Sequence, residues 1–176
     1  MKPHISICIP VYQGASTLAE TLRSVLASEH ADFEVVIRDN GSTDGTGDVI
    51  AGFDDPRIRC IRSEGTLPLP ANWRATVEQA RGELIKVVCA DDLIRPDCLA
   101  SQAALLEDPT VALVACRRDF IDGNGDVLSR NAGLPGLLGR HGVSEVARAA
   151  VRFGINPVGE PACVMFRRRD YDAIGG

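Results

Sequence analysis

Apolar positions in this chain come in short, dense runs separated by stretches of helical period. Ile5 to Val11, Phe33 to Arg38, Arg57 to Ile61, the run from Leu84 towards Asp91-Asp92, and Val111 to Cys116 are rich in β-branched residues and read as strands. The run Leu84-Ile85-Lys86-Val87-Val88-Cys89-Ala90 is almost unbroken, the pattern of a strand buried on both faces. Between the runs, Leu18, Leu22, Val25 and Leu26 follow a helical period, and Val49, Ile50 and Phe53 mark a short second helix. Trp73, Val77 and Ala80 share one face of a helix predicted from about Ala71 to Arg81, and Leu99, Ala103 and Leu106 one face of a helix opened by Pro96. Thr17 and Glu20 have capping-box spacing, and Gly82 stands where a helix-ending glycine belongs.

This strand–helix alternation repeats through four crossovers, which predicts an α/β fold: a doubly wound, mostly parallel sheet with helices on both faces. After Cys116 the pattern changes. Asp122-Gly123-Asn124-Gly125 is a hairpin signal, Arg130 to Gly142 is Gly/Leu-rich and irregular, and a helix is expected near Ser144 to Phe153. A loop at Asn156 to Pro161, a strand at Ala162 to Phe166 and a helical end at Arg167 to Ile174 complete the chain. One domain is expected, in two parts: residues 1–116 as an α/β half, and 117–176 as the start of a second half, cut short at the turn signal Gly175-Gly176.

Composition narrows the field. With 176 residues, 45% hydrophobic and 24% charged, the chain is an ordinary globular domain large enough for a core. A net charge of −5 and no dominant basic stripe argue against nucleic acid as a partner; Arg167-Arg168-Arg169 reads first as a solvated face. No stretch approaches the ~20 apolar residues of a membrane span, and Met1 to His4 runs into a strand without a signal-peptide pattern, so a cytoplasmic location is expected. The six cysteines lack metal-ligand spacing and read as small buried hydrophobes of a reducing compartment rather than a disulfide framework.

Three polar clusters fall at predicted strand ends: Pro10-Val11-Tyr12, Asp39, and Asp91-Asp92. In open α/β sheets ligands sit in the crevice beyond the carboxyl ends of the strands. Tyr12 could stack on a base, and Asp39 could accept a hydrogen bond from N3–H of uracil or thymine or N1–H of guanine, but not from cytosine. Two adjacent carboxylates supply the hard oxygen donors that Mg²⁺ or Mn²⁺ takes, bridging to phosphates. Together the clusters describe a pocket for a nucleoside diphosphate with a metal.

The same residues carry a resemblance. Ser6-Ile7-Cys8-Ile9-Pro10-Val11-Tyr12-Gln13-Gly14, Asp39-Asn40-Gly41-Ser42-Thr43-Asp44-Gly45-Thr46, Ala80-Arg81-Gly82-Glu83-Leu84-Ile85 and Ala90-Asp91-Asp92, in that order, resemble family-2 glycosyltransferases of the GT-A fold. The resemblance implies inverting transfer of a sugar from a UDP-, GDP- or dTDP-sugar donor to an acceptor hydroxyl, assisted by a divalent metal. It implies that Pro10 and Tyr12 line the nucleoside pocket, Asp39 reads the base, Asp91 lies near ribose or donor sugar, and Asp92 contacts the metal. Asn72, Trp73 and Arg74 match a stretch near the donor in some members, and Gly159-Glu160-Pro161 begins the acceptor side, for a saccharide or lipid-linked saccharide. The motif departs from Asp-x-Asp in reading Ala90-Asp91-Asp92. The family's general base lies downstream of the Ile-Gly-Gly segment and is therefore expected beyond Gly176; Asp119, Asp122, Glu160 and Asp170 match no base motif. Cell-envelope or exopolysaccharide synthesis, in the cytoplasm or at the inner membrane face, is the family-level expectation.

Plainer readings stand beside these. Asp39 to Asp44 also suits a helix-capping turn, Tyr12 a packing aromatic, Trp73 the core, and Arg74 either a solvated helix face or a diphosphate contact. A nucleotide-binding piece that transfers nothing is the alternative function. A receiver-like signalling domain lacks its acidic pair after the first strand, and a dinucleotide-binding dehydrogenase lacks G-x-G-x-x-G there.

Overall fold

The structure, a computed structural model, describes residues 2–133, 136–154, 156 and 158–176. Strands β1 (Ile5–Val11), β2 (Phe33–Asp39), β3 (Ile58–Arg62), β4 (Leu84–Val87) and β5 (Leu113–Ala115) alternate with helices α1 (Leu18–Leu26), α2 (Thr46–Ala51), α3 (Leu69–Glu78) and α4 (Cys98–Leu105). A hairpin, β6 (Arg118–Ile121) and β7 (Val127–Ala132), follows, then α5 (Val143–Phe153), a 3₁₀ turn (Pro161–Cys163), β8 (Val164–Arg167) and α6 (Arg168–Ala173).

The six-stranded sheet runs β3-β2-β1-β4-β8-β5. β1 pairs in parallel with both β2 and β4, and β2 with β3. β8 inserts antiparallel between β4 and β5. The sheet is therefore mixed but mostly parallel, an α/β arrangement, and the pairing of β8 is the one connection that local pattern does not announce.

Every residue of β1 is buried, because the strand has cover on both faces. Ile5, Ile7, Ile9 and Val11 point into a core with Leu18, Leu22 and Val25 of α1, Ile50 of α2, and Leu99 and Ala103 of α4. Alternation sends Cys8 the other way, against Val77, Ala80, Ile85 and Val87, with Phe166 and Tyr171 beside them.

Several expectations change. Thr17 sits at the N-cap of α1 but makes no side-chain cap bond, because its backbone is not extended. Helix α3 ends before Gly82, whose role is different: a Cβ there would lie 2.5 Å from the Ser6 amide nitrogen and 2.8 Å from the Ile5 carbonyl carbon, so the chain can pass β1 only without a side chain. β7 extends through Ala132 into the stretch read as irregular. The rest of that stretch and the loop expected at residues 156–161 lie partly outside the described residues. Arg167 is buried rather than solvated, donating to the carbonyls of Leu106, Asp108 and Val111 after α4, and Arg168 donates to Ala80. Cys60 and Cys116 are exposed, not core.

Candidate functional site

The carboxyl ends of β1, β2 and β4 lie side by side, and the chain leaving each is shaped by its own hydrogen bonds. After β1, Gln13 takes a left-handed backbone, φ 55°, and its amide donates to Ser42 Oγ at 2.9 Å. Gly14 N–H donates to Thr46 Oγ1 and Ala15 N–H to Asp44 Oδ2, each at 2.9 Å, while Gln13 Oε1 accepts from Thr43 N–H at 2.8 Å. Gly14 has no room for more, since a Cβ would meet Val11 Cγ2 at 2.5 Å. Much of the polar 39–46 loop thus clamps the turn that carries Tyr12. These bonds to Thr46 and Ala15 hold the Asp44 carboxyl below the usual carboxylate range.

The three strand ends open onto a cleft of about 440 Å³, lined by Pro10, Tyr12 and Gly14 from β1, Asn40 from β2, Cys89, Ala90 and Asp91 after β4, and Asn72 and Trp73 of α3. Tyr12 is 54% exposed, an aromatic face open to a ligand. Asn40 fixes the opposite wall by a two-way bond with the Leu67 backbone, each at 2.9 Å. Asn72 Oδ1 is buried without a hydrogen-bond partner, which is costly in an interior unless a ligand supplies one.

Of the residues singled out from sequence, Pro10, Tyr12, Asn72, Trp73 and Asp91 line this cleft together. Asp39 does not line it. Next to Asn40 and only 1% exposed, Asp39 accepts at Oδ1 from Ser42 N–H at 2.9 Å, and its Oδ2 has no hydrogen-bond partner, with Arg62 Nη1 at 3.7 Å. Arg74 faces elsewhere, donating to the Gly176 carbonyl at 2.8 Å and bordering a second cavity of about 590 Å³ whose walls include Val77, Val164, Phe166 and Tyr171. Trp73 is no core residue. It lines both cavities and divides them. Its helix spacing with Val77 gave no sign of this, because α3 packs on the sheet through Val77 and Ala80 while Trp73 lies beyond the strand ends.

Beside the cleft, oxygens of Asp91 and Asp92 and the Cys89 sulfur lie within 4.8 Å of one another. The chain turns here because Asp92 N–H closes back onto the Cys89 carbonyl at 3.1 Å. Burial, then the neighbouring Asp91 charge, raises the Asp92 carboxyl above its ordinary range. Burial, then Asp92 and Asp91, pushes the Cys89 thiol up to about 12, so it stays protonated and unsuited to a hard cation. Two crowded carboxylates with unrelieved repulsion fit an oxygen-seeking divalent ion that takes its remaining ligands from water or phosphate. The four carboxylates weighed as a base are engaged: Asp122 accepts from Asn124 and Asp126 amides, Asp119 from Asn131, and Glu160 and Asp170 pair with Arg118 and Arg167.

Comparisons with known proteins agree with this geometry. Residues 6–175 match the family described as Glycosyl transferase family 2. An uncharacterized protein of Mycobacterium tuberculosis is 35% identical over 176 residues, covering 96% of this chain and 54% of that protein. The succinoglycan biosynthesis protein ExoO of Rhizobium meliloti is 34% identical over 97 residues, covering 55% of this chain and 28% of its own length. The chain thus spans about half, or less, of these relatives. Among solved structures, a mannosyltransferase from Pyrobaculum calidifontis in complex with GDP-Man and Mn²⁺ superposes with TM-score 0.72 at 19% identity, over 100% of this chain and 48% of that one. S. aureus TarS in complex with UDP-GlcNAc gives TM-score 0.69 at 18% identity, over 96% and 47%. The fold is that of GT-A glycosyltransferases, and the chain belongs to glycosyltransferase family 2.

Proposed function

We propose that this chain carries the donor side of an inverting, metal-assisted glycosyltransferase that moves a sugar from a nucleotide-diphosphate donor to an acceptor hydroxyl. The observation that carries it is the cleft that joins Tyr12, Asn40, Asn72 and Asp91 at the strand ends, with the Asp91–Asp92 pair at its edge. Pro10 and Tyr12 hold the nucleoside, with the aromatic face of Tyr12 stacking on the base. Asp39, sealed next to Asn40, orders the loop behind the nucleoside through Ser42 N–H rather than meeting the base itself. Asp91 meets ribose or donor sugar, while Arg74, turned to the Gly176 carbonyl, borders the adjoining cavity rather than the donor.

Asp92, with Asp91, holds Mg²⁺ or Mn²⁺, which when bound offsets the negative charge gathering on the leaving diphosphate. GDP-Man with Mn²⁺ in one structural neighbour and UDP-GlcNAc in another support this donor class. A sugar hydroxyl is a poor nucleophile, so a base must take its proton as it attacks. The engaged state of Asp119, Asp122, Glu160 and Asp170 supports a base supplied by the acceptor half of the longer enzyme, of which residues 117–176 are the beginning. The name of the succinoglycan biosynthesis protein ExoO supports a role in polysaccharide assembly.

A thermal-shift panel of UDP-, GDP- and dTDP-sugars with and without Mn²⁺ tests this. One nucleotide class should raise the melting temperature by about 5 °C or more near saturation, and only with Mn²⁺. No shift with any of them would remove the donor site. A shift without measurable transfer to any acceptor would favour a nucleotide-binding piece, the reading that the half-length match to relatives also accommodates.

A further inference from the structure

Where β8 lies between β4 and β5, three of the six cysteines gather around a buried lysine. Lys86 is fully buried in β4, and its ammonium donates to Gln102 Oε1 and to the Ala162 carbonyl, each at 2.7 Å. Among the described residues it has no carboxylate partner within ion-pair distance. Cys98 Sγ lies 3.6 Å from the same Gln102 oxygen. Cys116 follows β5, and Cys163 closes the 3₁₀ turn that leads into β8, just past the last register pair of Ala115 with Val164; Cys116 N–H donates to the Cys163 carbonyl at 3.0 Å, while Cys163 N–H turns back to Glu160.

An N–H···O=C bond between two residues holds their Cα atoms about 5–6 Å apart, inside the range a disulfide spans. The Cys116 thiol lies close enough to those of Cys98 and Cys163 for the three to influence one another's protonation. Cys116 is exposed while Cys163 is buried. One partner is therefore open to a reagent in solution and the other waits behind it. A metal fits less well, because an ammonium already occupies the cluster and the three sulfurs do not converge as Cys89, Asp91 and Asp92 do.

We propose that Cys116 and Cys163 are a redox-active dithiol, converted by a low-molecular-weight disulfide into an intrachain disulfide. Cys116 passes its proton to a neighbouring thiolate and attacks one sulfur of the reagent, expelling one thiolate and leaving a mixed disulfide. Cys163 then attacks Cys116 Sγ, and the second reagent thiolate leaves; two protein thiols are oxidised, and one disulfide is reduced to two thiols. Contact with Cys163 and Cys98, then burial, holds the Cys116 thiol well above its ordinary range, so its exposure rather than its acidity makes it the point of attack, and its proton must first pass to a more acidic neighbour. Contact with Cys116, then the Lys86 charge, lowers the Cys98 thiol to about 6, and contact with Cys116, then Arg118, lowers Cys163 to about 7. The bridge would lie directly behind Pro161 and Val164, which wall the apolar cavity beside Trp73.

Oxidised glutathione applied to the full chain at neutral pH tests this, followed by thiol counting and tryptic mapping. Free thiols should fall from six to four, with peptide 87–117 joined to peptide 153–167. The link should survive in Cys98→Ser and in Cys60→Ser, the other exposed cysteine, and vanish in Cys116→Ser and Cys163→Ser. Persistence of the link in Cys116→Ser, a Cys98–Cys116 link in its place, or glutathione adducts without any link would overturn the proposal. Thiol counting on the native chain reads the outcome even if a variant fails to fold.

Discussion

At the scale of single residues, Asp92 is caught between two demands. A raised folded-state pKa means that the folded chain binds a proton more readily than the unfolded one, so stability of the metal-free protein rises as pH falls into the window just above the ordinary carboxylate range. Metal binding needs the ionised form and runs the other way. Asp92→Asn should therefore raise the melting temperature of the metal-free chain slightly, by no more than about 2 °C. It should also abolish the Mn²⁺-dependent part of any donor-induced shift. In the intact enzyme it should cost at least ~10²-fold in rate. Melting curves across pH, with and without Mn²⁺, check both signs. A variant that keeps its Mn²⁺ response would remove Asp92 from the metal site.

At the scale of elements, the contact between the Arg81–Gly82 turn and β1 sets how closely β4 can start beside its neighbour. Ser6 Oγ donates to Glu34 Oε1 at 2.6 Å, and the amides of Arg81 and Gly82 close on the same pair, at 2.6 Å to Glu34 and 2.7 Å to Ser6. Gly82→Ala would push a methyl into rigid backbone, and overpacking of this kind costs about 1–3 kcal/mol. Gly123→Ala, in the hairpin turn with open space around it, should stay within about 0.5 kcal/mol. Urea unfolding of the two variants compares them, and equal stabilities would contradict the close approach. Gly82 could be picked out from sequence as special but for the wrong reason: a C′ glycine is a local signal, whereas a clash with β1 belongs to a contact 76 residues away. β1, β2 and β4 were readable because burial on both faces leaves a dense apolar run. Pro10, Tyr12 and Asp91 were readable because strand ends of a parallel sheet converge. The orientations of Trp73 and Arg74, and the sealing of Asp39, depend on how α3 and the 39–46 loop pack, which no local pattern encodes.

At the scale of the whole molecule, β8 enters the sheet antiparallel between β4 and β5, an insertion that a β-α alternation cannot reveal. β8 pairs with β4 at only two register positions, Leu84 to Arg167 and Ile85 to Phe166. Beyond them the junction relies on Lys86, which ties β4 to Gln102 of α4 and to Ala162, while Gln102 Nε2 donates to the Cys163 carbonyl at 2.8 Å. Lys86→Met keeps an unbranched side chain of similar reach but leaves Gln102 Oε1 and Ala162 C=O without their donor. An unsatisfied buried acceptor costs about 1–3 kcal/mol, set against the relief of no longer burying a charge. The net loss should stay within that range and should be local. Hydrogen exchange under reducing conditions should show faster opening of the β8 amides, Val164–Arg167, while β1, β2 and β3, which share a continuous parallel ladder, keep their protection. Uniform loss of protection across all six strands would instead mean that Lys86 supports the sheet as one cooperative unit rather than the seam where β8 enters.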